Sequence, residues 1–271
     1  MTARQLRITA FLAIVWVMIA FVVTTAATYA WFTFSPYTNV TPMEGTVVGG
    51  GSLMISAERD GKYDVTCELR PYGNGSVLQP LSTADLRSFY SAGAQDAKGI
   101  TVGYVPGDRA VNSQTLHGIV YLKADGNAQD VYFDREGVSF GSDPQALAAM
   151  RLGLRITVAG EASTYIFRLD EMGSTSGAVS RRTVPQSGTV VASIDSSGKP
   201  TYVSDPARSI LPFFAPRSGE DVTPGEAKLC TLQDGEIADV EYWLYLEGCD
   251  DQCIDAVQRR DVALQFAFSG V

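Results

Sequence analysis

Histidine is nearly missing from this chain: His117 is the only one in 271 residues. That scarcity excludes the histidine-based zinc sets and the H-E-x-x-H protease helix. It also excludes a serine triad whose histidine must follow the nucleophile. Positive charge is thin as well, with 21 Lys and Arg against 30 Asp and Glu and a formal net charge of −9. With Arg4 and Arg7 set aside the balance falls to roughly −11. Such a chain offers no clustered Lys and Arg to neutralise phosphate, so nucleic acid is excluded as a partner, and so is electrostatic adhesion to anionic lipid. What the charge provides is solubility. Only one apolar run is long enough to cross a membrane, no repeat recurs, and no βαβ rhythm is present. No C-terminal anchor or cell-wall sorting signal stands before Val271, so attachment is expected to use the first helix or other subunits.

The one long apolar run is the clearest positive signal. After the basic flank 1–7, residues 8–34 carry no charge, about 27 residues against the roughly 20 that span a hydrocarbon core of about 30 Å. Arg4 and Arg7 lie before the run, and the first positive charge after it is Arg59. The positive-inside rule then puts the amino terminus in the cytoplasm and residues 35–271 outside. The run exceeds the apolar centre of a cleavable signal, which favours a single-pass anchor. Its end is nevertheless rich in small residues, and cleavage after Ala27 or Ala30 would release the protein. Both fates stay open at this level.

The exported part is large enough for a real core. It reads as short β-rich runs divided by Gly, Pro, Asn and Asp. Ser52–Ser56 and Tyr63–Leu69 flank Arg59-Asp60-Gly61-Lys62 as a hairpin, and Gly118–Leu122 and Asp130–Phe133 flank Asp125-Gly126-Asn127 as another. Asp143-Pro144 supplies a cap and first-turn proline for a helix over 143–152. Leu154–Val158 then reads as a strand with Tyr165–Phe167 as its return. Residues 172–209 read as an elaborated loop with short strands near Thr189–Ile194 and Thr201–Val203, followed by strands over Ala238–Glu247 and Val262–Ser269. Many strands and one short helix predict an all-β ectodomain, a β-sandwich or jelly roll.

Four cysteines in an exported chain are compatible with two disulfides in any of three pairings. Cys249 and Cys253 are close enough to pair locally, which would leave Cys67 and Cys230 as a long-range staple. A zinc site ranks below this because the spacings are wide and histidine is scarce. Gly137-Val138-Ser139-Phe140-Gly141 has the G-x-S-x-G form of a nucleophile elbow. Asp134-Arg135-Glu136 stands where the buried strand should be, and His117 precedes the serine, so a glycine-flanked turn is the better reading. Gly49-Gly50-Gly51 lacks the Lys-Ser or Lys-Thr of a phosphate loop. His117 itself reads as a surface or half-buried residue. The acidic group Glu247, Asp250, Asp251 and Asp255 could offer oxygens to calcium but lacks the spacing of a known loop. No catalytic residue, cofactor site or metal site is therefore assigned.

Ala26-Ala27-Thr28-Tyr29-Ala30-Trp31-Phe32 resembles the signal-peptide junction of the camelysin and TasA-like exported proteins of bacteria. Trp243–Asp250 looks like a strand-and-loop pattern of related surface proteins. The likeness is good over the first forty residues and scattered after them, and it departs from the family pattern at Thr33-Phe34-Ser35-Pro36, where a polar turn is usual. The resemblance implies an exported jelly roll that builds fibres of an extracellular, biofilm-type matrix. Release after Ala30 would leave Trp31, Phe32 and Phe34 on an extended strand that could complete a neighbour's sheet. The expectation is a surface-displayed structural or interaction protein whose partners are the membrane, other copies of itself or other surface proteins. A tethered adhesin or ligand-binding module is the alternative if the helix is kept. A hydrolase using two carboxylates is the alternative from the enzyme class.

Overall fold

The stretch Leu116–Ala124 alternates buried and half-buried side chains through all nine residues. That period of two fits a strand with one face on a core and one toward water. The structure, a computed structural model, describes residues 44–48, 52–72, 78–95, 101–107, 114–133, 147, 149–169, 190–197, 199–203, 211–212, 228–250, 253 and 265–271. All of them belong to the unit Tyr37–Val271. The apolar run with Ala27 and Ala30, the aromatics Trp31, Phe32 and Phe34, the G-x-S-x-G stretch and the triple glycine lie outside the described residues.

The strands in chain order are β1 (Glu44–Val48), β2 (Leu53–Ser56), β3 (Thr66–Glu68), β4 (Pro80–Ser82), β5 (Tyr90–Gln95), β6 (Thr101–Pro106), β7 (Leu116–Ala124) and β8 (Gln129–Phe133). They continue as β9 (Met150–Val158), β10 (Glu161–Arg168), β11 (Val190–Ile194), β12 (Pro200–Val203), β13 (Leu211–Pro212), β14 (Lys228–Leu232), β15 (Ile237–Glu247) and β16 (Gln265–Gly270). A five-stranded sheet runs β14-β8-β16-β1-β3. A nine-stranded sheet runs β13-β10-β9-β15-β4-β5-β6, with β7 also on β15 and β2 on β7, and β11 and β12 form a separate pair. The protein is all-β, as its turn-punctuated sequence predicts.

The inner faces of the two large sheets share one hydrophobic cluster. Leu122, Val120, Leu154, Val240 and Leu244 come from the larger sheet, and Val131, Phe133, Leu229 and Phe268 from the smaller. Phe133 stacks on Phe167 at 5.4 Å and meets Phe268 edge-on at 5.6 Å. The Tyr165 hydroxyl on β10 donates to the Leu229 carbonyl on β14 at 2.7 Å, a tie between the sheets.

Several local expectations hold and several change. β9 and β10 form the predicted return, turning through Ala159 and Gly160 at φ 49 and 88. Two positive φ values are what a two-residue hairpin turn of the primed kind needs. The first predicted hairpin closes at one pair only: Ile55 and Asp64 exchange backbone hydrogen bonds of 2.8 and 3.0 Å. The chain then leaves for the other sheet, where β3 pairs with β1. The second predicted hairpin does not form. Both edges of β7 are occupied, by β2 and β15, so Asp125-Gly126 carries the chain to β8 in the opposite sheet. Asp234 Oδ1 accepts from the Gly126 N–H at 2.7 Å and Ser52 O from the Asp125 N–H at 2.6 Å, which fixes that corner. The helix expected over 143–152 stops early. Leu147 and Ala149 are helical, but the strand begins at Met150, because Met150, Arg151 and Leu152 pair with Leu246, Tyr245 and Leu244. Register across the sheet overrides helix propensity there.

Candidate functional site

The central strand β15 passes from water into protein along its outer face. Its outward residues are Asp239, Glu241, Trp243, Tyr245 and Glu247, and the burial alternation ends at Tyr242, after which every residue is buried. What covers the far half is a second cluster, Leu81, Leu86, Phe89, Ile166 and Val190 against Trp243 and Tyr245. Leu86 is its plug. A Cβ on Gly153, the β9 residue opposite Trp243, would fall 2.4 Å from Leu86 Cδ2, so only glycine leaves the hole open. Leu86 sits at φ 54, and its N–H donates to Thr83 Oγ1 at 3.0 Å. Asp85 Oδ1 accepts from the Arg87 and Ser88 N–H groups at 2.9 and 2.8 Å. Side-chain acceptors thus hold a left-handed residue that costs backbone energy on its own.

Beyond the plug lies a sealed polar cluster. Arg151, opposite Tyr245, donates from Nη2 to Asp250 Oδ2 at 2.6 Å, with both side chains fully buried. Its Nη1 donates to the Met150 carbonyl at 2.9 Å. Glu247 Oε1 accepts the Cys249 N–H at 3.0 Å. The Ser82 hydroxyl accepts the Val191 N–H at 2.8 Å and so fastens β11 to the sheet. Tyr104 on β6 donates to Cys249 Sγ at 3.1 Å, and Cys249 reaches Ser82 Oγ at 3.6 Å. Glu247 Oε2 and the Tyr245 hydroxyl have no hydrogen-bond partner among the described residues.

Burial governs the protons of this cluster. It pushes the Glu247 carboxyl up to about 7, against the pull of Arg151 and the Ser82 hydrogen bond. The Tyr104 and Tyr245 phenols are driven well above their ordinary range, also by burial and then by Cys249 and Glu247 respectively. The Cys249 thiol rises for the same reason, with Glu247 adding to it. Burial alone would lower Arg151, and the Asp250 and Glu247 charges reverse that. A thiol held in its neutral form is a poor nucleophile, so Cys249 serves here as a hydrogen-bonding and packing group. The cluster can hold a proton on Glu247 and lock β15, β9, β4, β6 and β11 together.

Two of the four members of the predicted acidic group, Glu247 and Asp250, converge here, while Asp251 and Asp255 lie outside the described residues. Asp250 is committed to Arg151, and among the described residues no group of three or more His, Cys, Asp or Glu is placed to hold a metal. Neither predicted cystine forms: no disulfide joins any two of the four cysteines. Cys67 on β3 and Cys230 on β14 stand at opposite edges of the five-stranded sheet. Four strand spacings there come to about 19 Å, and a disulfide needs Cα atoms about 4.4–6.8 Å apart. Burial raises these thiols to about 11 and about 12. Cys249 packs with Tyr104 and Val191, whereas Cys253 packs into the main core, so the two serve different clusters. His117 is half-buried as expected, stacked on Trp243 at 4.5 Å with Tyr72 edge-on at 5.0 Å. Burial lowers its imidazole to about 4.

Sequence reasoning missed Arg151, Ser82 and Tyr104. The signal for Arg151 was a lone charge inside the apolar stretch Ala146–Leu154, which reads as the end of a helix. Ser82 and Tyr104 carried no signal, since their role depends on which strands meet. A scan of protein-family models finds no match to this chain, and neither curated proteins nor solved structures yield a significant one.

Proposed function

We propose that this is a surface-displayed structural or interaction protein of a bacterial cell, with a jelly-roll-type body exported behind its N-terminal apolar segment. In the released form, cut after Ala30, it acts as a subunit of a camelysin or TasA-like matrix fibre that grows by strand addition. In the retained form it is a single-pass, tethered adhesin or binding module. The observation that carries this reading is the edge strand β6. It pairs with β5 alone among the described strands, and Val105 on it is 48 % exposed. An unpaired edge with an outward apolar side chain is a template for a strand from another chain. The converged ionisable groups are meanwhile committed to an internal lock, which suits a durable building block.

The test begins with intact mass of the protein isolated from its cells, followed by electron microscopy of the released material. A new amino terminus at Trp31 and fibres that Val105→Lys abolishes support the fibre form. An intact Met1 terminus on a membrane-bound monomer sinks that form and leaves the tethered one. Recovery in the cytosol sinks both.

A further inference from the structure

The wet half of the outer face of the nine-stranded sheet presents tyrosines on a stiff floor. Tyr121 stands on β7, which is held on both edges by β2 and β15. Tyr72 is pinned to the same strand, its N–H donating to the His117 carbonyl at 2.6 Å beside the Pro71–Gly118 bridge. Its ring stands at 78° to His117, and it is 43 % exposed. Tyr63 closes the patch, with its hydroxyl donating to the Arg59 carbonyl at 2.8 Å and the Lys123 ammonium 5.8 Å from its ring centre. Tyr121 stands opposite Asp239 in the β7–β15 register, and Glu241 follows two residues further along β15 on the same face, which places rings and charges in one patch.

The chemistry of the patch selects its partner. Arg59, Lys123 and Arg155 stand against Asp60, Asp239 and Glu241, so the patch is locally neutral on a protein of net charge −9. A neutral surface gives no steering to a polyanion or a polycation. It does carry half-open donors and acceptors. Arg59 is ion-paired with Asp239. Arg155 and Glu241 approach to 3.3 Å and keep 31 % and 27 % of their side chains exposed. Tyrosine supplies large contact area at low entropic cost, and its face is the surface that aliphatic C–H groups pack on. Hydroxyls and C–H faces in one uncharged molecule describe a sugar. His117 and Tyr121, the roots of the two platforms, are four residues apart on a strand, about 13 Å, which favours a chain over a single ring.

We propose that this face is a binding site for a neutral glycan chain, with sugar rings on Tyr121 and Tyr72 and ring hydroxyls on Glu241, Asp239 and Arg155. It names the ligand of the surface module proposed above and rests on that reading only for where the glycan is met. Full-length protein in a detergent without a sugar head group is incubated with amorphous cellulose, chitin and a soluble β-glucan, with heparin as the anionic comparison. The expected result is retention on a neutral polysaccharide that resists salt and yields to soluble oligosaccharide. Tyr72→Ala and Tyr121→Ala should each weaken it about tenfold, with unchanged melting, and Lys199→Ala, at an exposed position just before β12, should leave it alone. If Tyr121→Ala fails to fold, the exposed Tyr72→Ala carries the test. Failure to bind any neutral polysaccharide overturns the proposal. So does binding that both tyrosine substitutions leave intact, and so does a salt-sensitive preference for heparin. Recovery from the cytosol would sink the display reading without touching this in vitro result.

Discussion

Among the arginine–carboxylate pairs anchored on the nine-stranded sheet, Arg59–Asp239 and Arg151–Asp250 live in opposite surroundings. Arg59 and Asp239 are 50 % and 31 % exposed, whereas Arg151 and Asp250 are both at 0 %. The wet pair exchanges water for a partner at little net gain and is screened by salt. The sealed pair has given up its hydration, so removing either partner leaves the other's charge in the core without its main compensation. The same chemistry therefore serves as surface texture in one half of the face and as an obligatory closure in the other. Leu86 over Gly153 marks the boundary between them.

The sharpest way to break this contrast is Asp250→Ala. It should destabilise the protein by about 3–5 kcal/mol, because Arg151 stays buried without its partner. The paired change Arg151→Met with Asp250→Leu should recover much of the loss, as read by urea unfolding. A single variant within about 1 kcal/mol of wild type would mean that the cluster is not sealed.

A smaller effect comes from pH, and here two half-covered and fully covered groups pull in opposite directions. Burial holds the folded Glu247 carboxyl at about 7, above its ordinary 4.5, so the folded state holds the extra proton in between. Its contribution to stability is full below about 4.5, declines as pH rises, and is gone above about 7. His117 at about 4 is depressed from 6.5, so its contribution is full above about 6.5 and is lost as pH falls toward 4. The two slopes offset each other between pH 4.5 and 6.5. His117→Gln should uncover a gain in stability on acidification of order a few kcal/mol, and adding Glu247→Gln should flatten it. Thermal melting across that range reads both, and a slope that survives Glu247→Gln would assign the proton elsewhere.

The least effect belongs to the wet pair. Asp239→Ala should cost about 0.2–1 kcal/mol, and less in high salt. A loss as large as that of Asp250→Ala would erase the distinction between the halves.

The fold class was legible because it rests on local patterns. The strand pattern of Gly118–Leu122, that of Leu154–Val158 with its return at Tyr165–Phe167 and the strand-like run of Ala238–Glu247 each announce themselves within a few positions. What could not be read is which strands meet. Asp125-Gly126-Asn127 has the residues of a hairpin turn, yet whether it pairs β7 with β8 depends on β2 and β15 having taken both edges of β7. Met150–Leu152 has the propensity of a helix end, and only the partner strand 244–246 makes it a strand. The cysteines misled for the same reason, since nothing in their spacing says that Cys67 and Cys230 end on opposite edges of one sheet. Of the sealed cluster, the acidic residues stand out as a group, but the arginine that decides their chemistry lies 99 residues from Asp250 in the chain.

Strand order also sets a timetable. β16 is the middle strand of the smaller sheet and β15 the middle of the larger, and both come late in the chain. Emerging amino end first, from a ribosome or through a translocation channel, the polypeptide makes β7 and β9 long before the strand that fits between them. His117 waits for Trp243, Leu81 for Glu247 and Glu44 for Gln265. Such distant pairings form slowly, because the loop must be closed before any contact rewards it. Neither sheet can be completed piecemeal, so the chain stays threadable until its last strands are made, and closure of both sheets becomes one late event.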